Sequence, residues 1–190
     1  LPLLRLASCV RHQAWPRAAC RMLPISSTIS AFLTLEPVVT ATPFVDSHCH
    51  LDRLNLDAHG GDFEAMMAAT AQAGVSHMLC IGVDLESFPQ VQALAEQYEN
   101  VFASVGVHPL YKESREPQSS ELVERAAHPK VVAIGEIGID HYRLPSTRGG
   151  SAADDEAFKA RQVVLFRQQL EVAAGLGLNV VVHKRAAIEP

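Results

Sequence analysis

Two histidines stand two residues apart in the stretch FVDSHCHLD, Phe44 to Asp52, where an ordinary buried strand would carry aliphatics. Read as a strand, the segment puts Phe44, Asp46, His48 and His50 on one face and Val45, Ser47, Cys49 and Leu51 on the other. At about 3.3 Å per residue the Cα atoms of His48 and His50 lie about 6.6 Å apart, so both imidazoles reach one ion at bonds of about 2.0–2.1 Å. The pair therefore reads as two metal ligands; taken alone, it fits a solvated edge strand with idle histidines as well. Glu136 lies in the apolar run VVAIGEIGID, where a carboxylate carries a large desolvation cost unless a cation offsets it. A divalent ion meets that need, as would an arginine. His183 closes the run Val180–Val182 and on its own could be a satisfied core imidazole. Together, two or three imidazoles and a bridging carboxylate make a site for one or two divalent ions. Two ions about 3.5–4 Å apart bind the attacking and departing oxygens of an in-line displacement at phosphorus, and one ion alone still generates hydroxide. Asp46 suits either of two roles, orienting a histidine or starting the strand.

These residues need elements to carry them, and from Phe44 onward the sequence alternates short β-type runs with helical segments. Asp62 is placed to cap a helix over FEAMMAATAQA that Gly74 closes. A second strand is expected over His77–Val83, a helix over Leu85–Tyr98 with Pro89 near its start, and a third strand over Val101–Pro109. Ser119 or Ser120 can cap a helix to about His128; Val131–Asp140 is the fourth strand. A loop over Leu144–Ala153, a helix over Asp154–Ala174 and a fifth strand over Leu178–His183 complete the series. Strands separated by helices imply parallel pairing, and the doubly apolar runs imply a sheet covered by helices. His50, His108, Glu136 and His183 each fall at or past the C-terminal end of an expected strand, where a β/α barrel gathers its chemistry. An open doubly wound sheet would concentrate its site at one switch point, and no phosphate-binding glycine fingerprint is present.

Composition narrows the function classes. The 190 residues carry a formal net charge of −5, and residues 43–190 hold 12 basic against 20 acidic residues, a net −8. Such a chain does not hold nucleic acid by a broad basic surface, so a polyanionic substrate must be drawn in locally by metal ions and a few arginines. Residues 1–42 contain Arg5, Arg11, Arg17 and Arg21 against the single acid Glu36 and read as a leader or non-domain extension, with residues 43–190 as the folded portion. Their Arg-rich, Ser-containing composition matches an organellar transit peptide and equally a non-coding upstream stretch. No apolar run approaches the roughly 18 residues of a membrane span. Cys9, Cys20, Cys49 and Cys80 form no CxxC pair, so free thiols in a reducing compartment, the cytoplasm, are expected, with an organelle as the alternative. Cys49 points away from the histidine face and is expected to pack.

FVDSHCHLDRL, the GVHPL of Gly106–Leu110, VVAIGEIGID with Tyr142 nearby, and VVVHKR ending at Arg185 resemble, in order, the successive motifs of the TatD family of metal-dependent deoxyribonucleases. The resemblance runs from about Phe44 to Arg185. It implies a TIM-type (β/α) barrel of the amidohydrolase-like superfamily and hydrolysis of DNA phosphodiesters with Mg²⁺, Mn²⁺ or Zn²⁺. It further implies that His48, His50, Glu136 and His183 are metal ligands with Glu136 bridging, that His108 lines the site and assists the chemistry, and that Arg185 contacts a phosphate oxygen. The family carries another histidine on the next strand and an aspartate, in an ETDxP-type motif, on the last barrel strand. Neither precedes Pro190, and the 148 residues from 43 onward suffice for about five of eight βα units where a complete barrel takes about 250 residues. The expectation is an incomplete barrel, from a truncated product or a partial sequence, with weak metal binding and little turnover as a lone chain. Three other readings stay open. An amidohydrolase acting on a cyclic amide or ester is disfavoured by Glu136 where a carboxylated lysine would stand. A phosphoesterase of the polymerase-and-histidinol-phosphatase type would want a further histidine, for which only His59 offers itself. A non-catalytic fragment is the third.

Overall fold

The computed structural model describes residues 43–110 and 116–187, so the leader expected over 1–42 lies outside the described residues. Five strands, β1 (Phe44–Cys49), β2 (Val75–Ile81), β3 (Val101–Val105), β4 (Val131–Asp140) and β5 (Asn179–Arg185), form one parallel sheet in the order β1-β2-β3-β4-β5. Strand order that simply follows chain order distinguishes successive units of a β/α barrel from a doubly wound sheet, whose order reverses at a switch point. The architecture is α/β, an incomplete barrel of five strands.

The connecting helices form where local signals place them. Helix α1 (Phe63–Gln72) starts at Asp62, whose Oδ1 accepts from the backbone N–H of Glu64 at 2.9 Å and of Ala65 at 3.2 Å. Helix α2 (Phe88–Gln97) begins three residues later than expected, because Pro89 fits only its first turn, where no backbone donor is needed. Its buried face is Phe88, Val91 and Ala95, one stripe at helical spacing. Helix α3 (Ser119–Ala126) is capped one residue before the expected serines: the Gln118 backbone N–H donates to Glu121 Oε2 at 2.9 Å, and the Glu121 N–H returns to the Gln118 carbonyl at 3.0 Å. The expected loop after β4 includes a 3-10 turn at Pro145–Arg148 and gives way early to α4 (Ala152–Leu176). A capping box explains the early start, since Ser151 Oγ accepts from the Asp154 N–H at 3.2 Å while Asp154 Oδ2 accepts from the Ser151 N–H at 2.7 Å.

The core lies under the three central strands. Cys80 and Ile81 of β2, Val101, Ala103 and Val105 of β3, and Ile134 and Ile137 of β4 are wholly buried. Edge strands β1 and β5 are exposed: Val45 is 63% accessible and Val182 54%. The second strand starts two residues earlier than expected because Phe44 of β1 is in register with Val75. The third ends at Val105, so Gly106–Pro109 become a connection past the strand end and His108 moves onto a loop.

Candidate metal centre

The fourth strand supplies the central group. Glu136 is 8% exposed, and its backbone N–H donates to the Gly82 carbonyl at 2.7 Å across the sheet. Its two carboxylate oxygens face different imidazoles: Oε1 is 3.0 Å from His183 Nδ1, and Oε2 is 3.6 Å from His48 Nε2. His48 belongs to β1; His50 follows the strand's last residue, and the two rings meet edge to face with centroids 5.3 Å apart. His50 Nδ1 lies 3.2 Å from the Ile81 carbonyl, which can only accept, so this nitrogen carries the proton and Nε2 offers its lone pair. Asp46 accepts from the backbone N–H of His48 at 3.0 Å, so it braces the main chain and not an imidazole.

His183 is delivered by the pairing of β5 with β4, which sets Gly138 opposite His183 and Asp140 opposite Arg185. A Cβ on Gly138, whose φ is +149°, would overlap the carbonyl oxygen of His183, so close passage of the two strands requires glycine here. His183 Nε2 donates to Asp140 Oδ2 at 2.8 Å, Arg185 Nε donates to the same oxygen at 2.9 Å, and Oδ1 accepts the backbone N–H of Tyr142 at 2.9 Å. Burial pushes the Asp140 carboxyl up, but these bonds from His183, Tyr142 and Arg185 outweigh it and hold the group below the ordinary carboxylate range.

His108 sits between the two histidine sets. Its backbone N–H donates to the Val83 carbonyl at 2.9 Å, and its ring meets that of His183 at a centroid distance of 4.2 Å. Burial, followed by the neighbouring His183, lowers its pKa to about 4, so the ring is neutral at pH 7. Because the Leu110 N–H donates to Nδ1 at 3.1 Å, the single ring proton resides on Nε2. The segment bearing His108 is anchored from outside the sheet by α4: Gln169 Oε1 accepts from the Val107 N–H at 2.8 Å and Gln169 Nε2 donates to the Val107 carbonyl at 3.1 Å. Seven residues earlier, Gln162 grips Asp140 in the same way, at 2.9 and 3.0 Å.

Two groups of side chains have ligand atoms within 4.8 Å of one another, His48–His50–Glu136 and His108–Glu136–His183, and Glu136 belongs to both. A test of fit follows from hydrogen bonding. With Nε2 of His183 donating to Asp140, Nδ1 must either carry a second proton for Glu136 or share a cation with it. Two donors on one ion at bonds of about 2.0–2.1 Å and angles near 90–110° stand about 2.9–3.4 Å apart, which matches the 3.0 Å between Nδ1 and Oε1. The residues therefore fit a divalent ion. His108 fits a ligand role less well, since Leu110 occupies Nδ1 and Nε2 carries hydrogen. A cavity of about 630 Å³ opens before Glu136, lined by His48, His50, His108, Arg53 and Leu54 among others; Cys49, expected to point away, also reaches its wall. His183 and Arg185 are outside that lining, on the Oε1 side of Glu136.

Sequence reasoning passed over Asp140, although it follows Glu136 by four residues on a strand and so shares its face. It also passed over Arg53, whose Nη2 donates to the buried Asp84 at 3.1 Å and whose Nε donates to Asp52 at 3.0 Å.

The model of the family described as "TatD related DNase" matches residues 45–189. The chain belongs to this family. It is 37% identical over 145 residues to the Escherichia coli K12 protein named uncharacterized metal-dependent hydrolase YjjV, an overlap of 75% of this chain and 51% of that one. It is 36% identical over 129 residues to the E. coli K12 protein named 3'-5' ssDNA/RNA exonuclease TatD, covering 67% of this chain and 45% of the relative. The crystal structure of YjjV superposes with a TM-score of 0.61 at 33% identity, over 75% of this chain and 51% of that one. A TatD-family hydrolase from Entamoeba histolytica, at 23% identity and a TM-score of 0.57, shares the fold. The chain thus spans about half the length of the curated relatives it matches. Its five parallel strands and the four helices between them make up part of the family's barrel, and no helix among its described residues is long and apolar enough to cross a membrane.

Proposed function

We propose that this family member hydrolyses phosphodiester bonds of DNA with one or two divalent ions, Mg²⁺, Mn²⁺ or Zn²⁺, held by His48, His50, Glu136 and His183. The observation that carries the reading is the division of Glu136, one carboxylate oxygen toward the β1 histidines and the other toward His183. When bound, such ions supply an activated water and positive charge for the oxygens exchanged at phosphorus. The protein's own part is positional. Ile81 fixes the tautomer of His50, and Asp140 fixes that of His183, so each presents a lone pair to the site. Neutral His108 presents Nε2–H as a hydrogen-bond donor to a phosphoryl oxygen. Arg185, oriented by Asp140, offers a cation on the Oε1 side of Glu136 for a further phosphate oxygen. Nucleic acid as substrate is supported by the family and by its E. coli member named as a 3'-5' ssDNA/RNA exonuclease. The free thiols of Cys49 and Cys80, which are register partners yet unbonded, suit a reducing compartment such as the cytoplasm.

The test is zinc and manganese titration of the full chain by calorimetry, together with hydrolysis of methyl p-nitrophenyl phosphate and a DNA oligonucleotide. Binding with weak, EDTA-sensitive hydrolysis that Glu136→Gln lowers at least about 100-fold is expected. An E136Q variant as active as the parent, or no metal binding by the parent, would overturn the reading.

A further inference from the structure

Beside the Glu136–His183 pair lies a second set of groups that metal chemistry does not use. Arg185 is held by one bond, Nε to Asp140 Oδ2 at 2.9 Å, and its terminal amino groups make no hydrogen bond among the described residues. Its guanidinium carbon stands 4.5 Å from the centroid of the Tyr142 ring. Tyr142 is itself 61% exposed, so the cation covers one side of the ring while much of the rest meets solvent. The Arg185 guanidinium and the Tyr142 main chain are both held by one acid. Asp140, wholly buried, receives the Tyr142 backbone N–H on one oxygen and the guanidinium on the other, and the same carboxylate orients His183. One acid thus ties this aromatic and cationic pair to a candidate metal ligand.

The positive charge continues along the chain. Arg143 and Arg148, both exposed, line a small cavity of about 290 Å³ with Phe158, and neither is paired with a carboxylate among the described residues. That contrasts with Arg53, Lys159 and Arg161, each of which is spent on an acid. In a portion of chain with a net −8, Arg143 and Arg148, together with the outward terminal amino groups of Arg185, whose Nε alone pairs with Asp140, are sites where a polyanion meets less repulsion.

We propose that Tyr142 and Arg185 form a subsite for single-stranded nucleic acid, the guanidinium edge taking a phosphate and the open part of the Tyr142 ring taking the adjacent base, with Arg143 and Arg148 extending the track. The proposal rests on the phosphodiesterase reading and adds how the strand is held. A base inside a duplex is stacked on both faces and cannot lie on a tyrosine, whereas an unpaired base can, and such stacking is tolerant of sequence.

The experiment measures binding of a fluorescein-labelled oligothymidylate, and of the same oligomer with abasic sites, to the full chain by anisotropy in EDTA. Tyr142→Phe binds as the parent does. Tyr142→Ala binds the thymidylate roughly 5-fold or more weakly, and its deficit disappears on the abasic oligomer. The double variant R143E/R148E weakens both oligomers alike and flattens the salt dependence of binding. The subsite is overturned by a parent that binds neither oligomer, by Y142A binding thymidylate as the parent does, or by a Y142A deficit of equal size on the abasic strand. Metal-dependent hydrolysis of methyl p-nitrophenyl phosphate by the parent, a substrate without a base, reports separately on the phosphodiesterase reading. Loss of one result does not entail loss of the other.

Discussion

Replacing Asp140 by asparagine tests whether one buried carboxylate organises the β5 side of the site. Three N–H groups converge on its two oxygens, from His183 and Arg185 on Oδ2 and from the Tyr142 backbone on Oδ1. Asparagine offers one carbonyl oxygen and one amino group, so either orientation sets at least one N–H against another. An unsatisfied buried donor costs about 1–3 kcal/mol. Loss of the charge opposite Arg185 adds to this, but that side chain is 43% exposed and water takes up part of the difference. A total of about 2–4 kcal/mol corresponds to a fall in Tm of about 5–15 °C for a unit of this size. Freed from its acceptor, His183 also loses the tautomer that points Nδ1 at Glu136, so zinc affinity should drop about 10- to 100-fold. Thermal unfolding by circular dichroism in EDTA and zinc calorimetry at 20 °C measure the two effects. The sign of the pH dependence is set by the lowered native pKa of Asp140. Its stabilising contribution is present above the unfolded value of about 3.9 and is lost as pH falls through the lower native value, so the stabilities of parent and D140N converge only below about pH 4. Unchanged melting together with unchanged zinc affinity would refute the assignment of Asp140 as the organiser.

Two glycine substitutions should act in opposite directions. Gly138→Ala forces a methyl group into the His183 carbonyl and is expected to cost about 3 kcal/mol or more by denaturant titration, whereas Gly175→Ala, in open space near the end of α4, should stabilise by about 0.5 kcal/mol. Burial raises the Cys49 thiol to about 12 and the Cys80 thiol to about 11, so peptide mapping after iodoacetamide treatment at pH 8 should find both unmodified until urea unfolds the chain; alkylation in the folded protein at the rate of free cysteine would contradict this. Zinc at about 100 times its dissociation constant should stabilise the parent by about 2.7 kcal/mol, and E136Q should show little of that gain in the same denaturant titration.

Much of the fold is legible in the order of residue types. Apolar runs of five to ten residues between capped, amphipathic helices leave little choice but parallel strands, and β4 falls on the residues expected of it, Val131–Asp140. Boundaries shift where a local donor or acceptor competes, as when Glu121 reaches back to Gln118, or Ser151 and Asp154 cap each other. The ends of β2 and β3 depend on partners remote in sequence, which periodicity does not report.

The residue types and spacing alone determined that this protein carries an HxH pair, a buried carboxylate and a strand-ending histidine at one end of a β/α series, because a charge or imidazole in an apolar run needs a compensating partner whatever the fold. Only the tertiary structure decided who the partners are. The β4–β5 register brings Asp140 to His183 and Arg185, and the side-chain rotation of Glu136 turns one oxygen to each histidine set. Those contacts join residues 43 to 88 positions apart, at distances of 2.8 to 3.6 Å. Hydrogen-bond direction and tautomer depend on tenths of an ångström and on which acceptor arrives from another strand, and neither is written in the order of residues along one strand.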